Sequence, residues 1–148
     1  MNNNNSTYKR LGDYIREVDV RNKDLQCTNL LGLSMTKEFR PSTSNVNGTD
    51  LSKYKIVNKG VFAFDTMSVI RVHKVPICLN ESTNPIIISP AYITFEVCNE
   101  NLLTEYLKLV FRNSEFDRYA EFKSDSSVRG GYNWEELCDT MVKIPSIE

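Results

Sequence analysis

Apolar residues follow two rhythms along this chain. Near both ends they recur at helical spacing, and between the ends they alternate or cluster as in strands. Over residues 8–18, Leu11, Tyr14, Ile15 and Val18 stand at i, i+3, i+4 and i+7, which predicts a short amphipathic helix. Over the last third the same spacing returns. Asn101 is placed to cap a helix whose stripe is Leu103, Tyr106, Leu107 and Val110, extended by Phe111. Ser114 opens a second, with Asp117 three residues on and Phe116, Tyr119 and Ala120 on one face. Asn133 opens a third, with Glu136 three residues on and Trp134, Leu137, Cys138 and Met141 as its apolar positions. A short strand closes the chain.

The middle reads as strands. Residues 30–33 are short and apolar enough for a buried one. Residues 55–57 and 61–64 flank Asn58-Lys59-Gly60, with Phe62 and Phe64 on one face and Val61 and Ala63 on the other. Residues 75–79, 86–89 and 92–97 continue the pattern, and in the last of them Ile93, Phe95 and Val97 alternate with Tyr92, Thr94 and Glu96. Pro76, Pro85 and Pro90 belong at strand ends, edges or turns. Asp50 is placed to cap a helical turn reaching Tyr54, and residues 35–49 turn polar, as in a long surface loop. The expected architecture is α+β: a single domain with a mixed, largely antiparallel twisted sheet and helices concentrated in the C-terminal third. Residues 1–7, rich in asparagine, are expected to be disordered.

Composition narrows the function classes. A chain of 148 residues with 41% hydrophobic and 25% charged residues suits one well-cored soluble domain. A net charge of −1 is not the footprint of a freestanding nucleic-acid binder, although a local basic patch stays open. Cys27, Cys78, Cys98 and Cys138 are far apart and His73 is the single histidine, so a Cys/His zinc site is not expected. Reduced thiols, no apolar window near 18 residues and no signal-peptide pattern together predict a cytoplasmic protein without a membrane span. On that reading the sequon Asn80-Glu81-Ser82 is empty.

Catalytic patterns do not emerge. There is no nucleophile elbow, no GxxxxGK(S/T) phosphate loop, no GxGxxG, no HExxH, and no Asn-Pro-Pro-Tyr/Phe tetrapeptide of methyltransferases. Glu135 and Glu136 suit the first turn of a helix, where the dipole favours acids. What remains is basic residues on polar segments: Lys37, Arg40, Arg71, Lys74, Arg112, Arg118, Lys123 and Arg129, with Tyr132 nearby. Such side chains can contact phosphates and base edges. On pattern alone the bland reading is favoured: dispersed basic residues are more often just a solvated surface, and residues 124–132 a connector in which Gly130-Gly131 makes the turn.

The ordered motifs add more. YKRLGDYI is followed by TDLSKYKIVNKG and FAFDTMSVIR, then by IIISPAYITFEV, EYLKLVFRNSEFDRYAEF and SVRGGYNWEELCDTM, and the chain closes on IPSIE. Together these resemble the target recognition domain of type I restriction–modification specificity subunits, over residues 8–148. The resemblance implies a non-catalytic module that reads one half of a bipartite double-stranded DNA target. It implies methyltransferase subunits as partners, with a second specificity half or domain. It implies no cofactor on this chain, S-adenosylmethionine being expected on the methyltransferase partner, which modifies adenine at N6. The chain stops where the family's spacer helix begins, so it is expected to be a recognition domain truncated before that helix. Val61, Asp65 and Lys143 depart from residues usual in the family. The loops implied to face DNA are residues 34–43, 65–74 and 123–132. Arg71, Arg129 and Tyr132 are the foremost candidates, with Lys37, Arg40, Lys74 and Lys123 beside them. The alternative is a specificity-like decoy or regulator that acts by protein contact with the methyltransferase subunit.

Overall fold

In the computed structural model, β1 (Ser6–Arg10) and β10 (Met141–Pro145) pair antiparallel from Ser6–Pro145 to Arg10–Met141. The structure describes residues 6–42, 47–66, 74–126 and 132–145. Ser6 and Thr7, expected in the disordered lead, are therefore strand. β10 alternates cleanly, with Val142 and Ile144 buried and its other three residues exposed. A single 3-10 turn, Leu11–Asp13, leads into β2 (Ile15–Val18). The helix expected over residues 8–18 is thus strand, turn and strand. Leu11 and Ile15 are buried as the helical spacing demanded. Pairing with distant strands overrides the local periodicity: Leu11 N–H donates to Thr140 O at 2.9 Å, and Ile15 pairs with Val97.

β2 is the edge of a four-stranded antiparallel sheet in the order β2, β9 (Ile93–Val97), β6 (Val61–Phe64), β7 (Ile77–Leu79). β6 is buried on both faces, as the two-sided sequence pattern requires. Phe62 and Phe64 enter the larger core under the helices; Val61 and Ala63 enter a smaller one with Leu33, Val57 and Ile88. The smaller core is closed by two further antiparallel pairs, β5 (Lys55–Val57) with β8 (Ile86–Ile88), and β3 (Leu31–Leu33) with β4 (Phe39–Pro41). The segment expected as an unbroken loop over residues 35–49 therefore contains a strand. β5 and β6 are joined by a turn in which Val61 N–H donates to Asn58 O and Gly60 takes φ 88°. The Asn80 amide is buried and donates to Val57 O and Asn84 O, so the sequon asparagine is a core hydrogen-bonding residue. Asp50 caps its short turn as expected, accepting from Ser52 N–H.

Three α-helices follow among the described residues: α1 (Thr104–Arg112), α2 (Ser114–Ser126) and α3 (Trp134–Asp139). α1 buries Leu107 and Phe111, but its N-cap is Leu103, not Asn101, and Leu103 is exposed. Ser114 is the first residue of α2 rather than its cap; the Asn113 carboxamide accepts from Glu115 N–H instead. α2 buries Phe116 and Ala120. α3 has the expected capping box, with Asn133 and Glu136 each holding the other's backbone N–H. Met141 lies beyond it on β10 and is exposed. Aromatic rings knit helices to sheet. Phe62 stacks on Phe95 at 5.1 Å, Phe111 meets Phe62 edge-on at 5.4 Å, and Phe116 meets Phe111 at 5.1 Å. Each such pair adds about 0.5–1.5 kcal/mol beyond area burial.

Candidate nucleic-acid interface

The β3–β4 turn aims Lys37 inward. Ser34 N–H donates to Glu38 O and Lys37 N–H to Ser34 O, closing a tight turn in which Lys37 takes φ 67°. That left-handed conformation is unusual for a residue with a side chain. From it the ammonium donates to Phe111 O, near the C-terminal end of α1, and to Asp117 Oδ1 at 2.8 Å in the first turn of α2. It also lies 5.6 Å from the centroid of the Phe116 ring. Asp117 Oδ1 accepts a second hydrogen bond, from Val75 N–H at 2.9 Å. A cation at a helix C-terminus and a carboxylate at a helix N-terminus both suit the helix dipoles. Burial pushes the Lys37 pKa down, the Asp117 carboxylate opposes that shift, and Lys74 and Arg112 add to it by like-charge repulsion.

Lys37 was expected on a DNA-facing surface. It is buried, and forms the floor of a cleft of about 210 Å³. Lys74 and Arg112 line the same cleft with Ser114 and Asp117. Arg112 also meets Glu38 at 3.2 Å. Lys37, Lys74 and Arg112 come from three distant stretches of chain and meet at the joint between α1 and α2. Arg112, which stood among the basic residues but not among the candidates, was missed. Its only sequence signal was a position in the last turn of a helix.

The other candidates are dispersed. Arg40 lies exposed on β4, its Nε donating to Leu33 O at 3.4 Å. Lys123 is half-buried in the last turn of α2, which runs through Ser124 to Ser126 where a loop was expected. Arg71 and Arg129, with most of the expected 124–132 connector, lie outside the described residues. Tyr132 is not at the surface: it is fully buried against Phe64 and Phe116, each at 6.0 Å. Its hydroxyl meets Thr140 Oγ1. The Thr140 hydroxyl proton goes to Glu136 O, so the tyrosine donates to the threonine. Burial drives the Tyr132 pKa above its ordinary value. What Tyr132 does is join two roots: its N–H donates to Thr66 O at 3.0 Å. Thr66 and Tyr132 border the two segments that carry Arg71 and Arg129.

A second concavity, about 550 Å³, lies between the β1–β10 ribbon and the start of α2, lined by Tyr8, Tyr106, Phe116, Tyr119 and Met141. Among the described residues no helix is long and apolar enough to cross a membrane. No three His, Cys, Asp or Glu side chains among them are grouped to hold a metal ion.

No protein-family model matches the sequence, and no curated protein matches it. Solved structures do match. A chain from the structural work on complex assembly and conformational transition of the type I R-M system aligns over 95% of this chain with a TM-score of 0.67. The chain therefore shares the fold of a chain of that system. Identity over that alignment is 16%, so the likeness is one of fold, and it covers 38% of the matched chain. The HsdS subunit from Thermoanaerobacter tengcongensis aligns over 96% of this chain and 34% of its own at 12% identity, with a TM-score of 0.46. This chain therefore spans little more than a third of the length of either. This shared fold with a chain of the type I R-M system agrees with the resemblance carried by the ordered sequence motifs.

Proposed function

We propose that this chain reads one half-site of a bipartite double-stranded DNA target as the specificity component, or part of it, of a type I restriction–modification complex. The observation that carries the proposal is the fold likeness over 95% of the chain at a TM-score of 0.67. The chain itself does no chemistry in this reading. Methyltransferase subunits hold S-adenosylmethionine and modify the DNA that this module selects.

The division of labour follows from side-chain chemistry. Arg71 and Arg129 are the base readers, because a guanidinium pairs bidentately with guanine O6 and N7. Tyr132 and Thr66 support them by fixing the roots of their segments together. Arg40 and Lys123 contribute sequence-independent contacts to phosphates. A net charge of −1 leaves few phosphates neutralised, so the isolated chain binds weakly. The test is selection from a randomised duplex library by the chain alone and with its methyltransferase subunits. Enrichment of a common half-site in the complex is expected; its absence there overturns the reading.

A second reading, a decoy or regulator acting by protein contact, is favoured by one observation. Tyr8, Phe122 and Met141 are exposed apolar side chains, two of them on the 550 Å³ groove. Co-purification with the methyltransferase subunit and no DNA preference in the complex would select it.

A further inference from the structure

We propose that the cleft between the β3–β4 turn and the α1–α2 joint is a seat for one phosphate group, with Lys74 and Arg112 at its mouth and Lys37 as its floor. The seat's existence stands on the geometry; its source, a phosphate of the DNA backbone, rests on the function proposed above.

Charge is the first argument. The lining holds three cationic side chains and one carboxylate. That carboxylate, Asp117, is already engaged by the Lys37 ammonium and by Val75 N–H. The remaining positive charge is uncompensated from within the cleft. Lys74 and Arg112 are close enough to Lys37 for like-charge repulsion to push its proton affinity down. An entering anion relieves that repulsion, so it gains more here than at three separated surface cations.

Construction is the second argument. Filling the same space with an apolar residue would avoid the desolvation of an ammonium, which is expensive. The chain instead places Lys37 in a left-handed backbone conformation and satisfies it from two helices. Two of its three protons are committed to Phe111 O and Asp117 Oδ1, leaving one for a ligand. Ser114 adds a hydroxyl to the lining. Arg112 must loosen its 3.2 Å contact with the exposed Glu38, and an exposed ion pair gives way at little cost.

Placement is the third. Lys74 borders the segment carrying Arg71, and Val75 N–H anchors that border on Asp117. A phosphate held by the cleft sits beside the segment proposed to read bases. Such a contact sets the register of the duplex and carries no sequence information.

Two measurements test this. In the first, the complex with methyltransferase subunits is titrated with its selected duplex at several salt concentrations, as wild type and as Lys74→Gln/Arg112→Gln. The variant is expected to lower the slope of log K against log salt by about one and to weaken every duplex by a similar factor. Its preferred sequence should be unchanged. An unchanged slope, or an altered preference, overturns the backbone-phosphate assignment. In the second, inorganic phosphate is titrated into the isolated chain and followed by amide NMR. Saturable shifts centred on Thr36, Lys37 and Ser114, lost in the double variant, are expected. Their absence overturns the seat itself. Shifts with phosphate in a protein whose complex selects no DNA keep the seat and overturn the DNA source, leaving a free or nucleotide phosphate as ligand.

Discussion

Lys37 Nζ and Asp117 Oδ1 lie 2.8 Å apart with side-chain exposures of 5% and 13%, although eighty positions separate them in sequence. Removing the negative partner of such a pair strands a buried charge. Asp117→Asn keeps an oxygen for Val75 N–H and loses only the charge. It is expected to cost about 3 kcal/mol, the low end for breaking a buried ion pair. Lys37→Met in the Asp117→Asn background should recover most of that loss, since no buried charge then remains. Urea midpoints of the three proteins decide the matter. A single Asp117→Asn variant as stable as wild type would show that the pair holds nothing.

Alkaline pH should loosen the fold through two buried acids. Burial raises the Cys78 thiol from its ordinary 9.0 to about 12. The folded protein therefore keeps a proton that the unfolded chain releases. This contribution is complete below pH 9 and is lost as pH climbs towards 12, at about 1.4 kcal/mol per pH unit. Tyr132 acts in the same sense above its ordinary value of 10.0. Lys37, whose pKa is lowered, works in the opposite sense, adding stability as pH rises towards 10.5. Denaturation midpoints from pH 8 to 11 should fall in wild type and fall less steeply in Cys78→Ala. Parallel slopes for the two would count against the assignment to Cys78.

Tyr132 separates a structural role from a DNA contact. Tyr132→Phe deletes the hydrogen bond to Thr140 Oγ1 and keeps the ring among Phe64 and Phe116. The cost should be about 0.5–1.5 kcal/mol of stability. DNA selection by the complex should not change. A shifted target sequence for Tyr132→Phe at full folding would mean that the hydroxyl reaches DNA after all.

Gly12 is required for space. A methyl group there would meet Cys138 Cβ at 2.8 Å and the Arg10 guanidinium at 2.7 Å. Arg10 can swing away, but Cys138 belongs to α3, which packs on this turn. Gly12→Ala is therefore expected to cost about 1–3 kcal/mol, as overpacking does. A melting temperature within a degree of wild type would refute it.

The strands of the middle were legible because each is read locally. The two-sided burial of Val61, Phe62, Ala63 and Phe64 follows directly from the order of those four residues. The Asn133–Glu136 box was legible for the same reason. Residues 8–18 were not: Leu11, Tyr14, Ile15 and Val18 have helical spacing, and only partners at positions 94–97 and 140–145 make them strand and turn. The candidate site suffered most from this limit. Nothing near Lys37 in sequence announces Asp117, so a buried cation looked like a surface one. Tyr132 follows two glycines in a polar stretch, which disguised a core residue as a loop residue. The motif order carried the family likeness across these local misreadings, because it does not depend on where any one side chain points.

The pairing of Ser6 with Pro145 has a mechanical meaning. The described chain begins and ends side by side, so its two attachments lie at one spot. Tension applied through those two attachments peels β1 from β10 one hydrogen bond at a time, rather than shearing the whole ribbon at once. Under load the ribbon opens first, and with it Val142 and Ile144 leave the larger core.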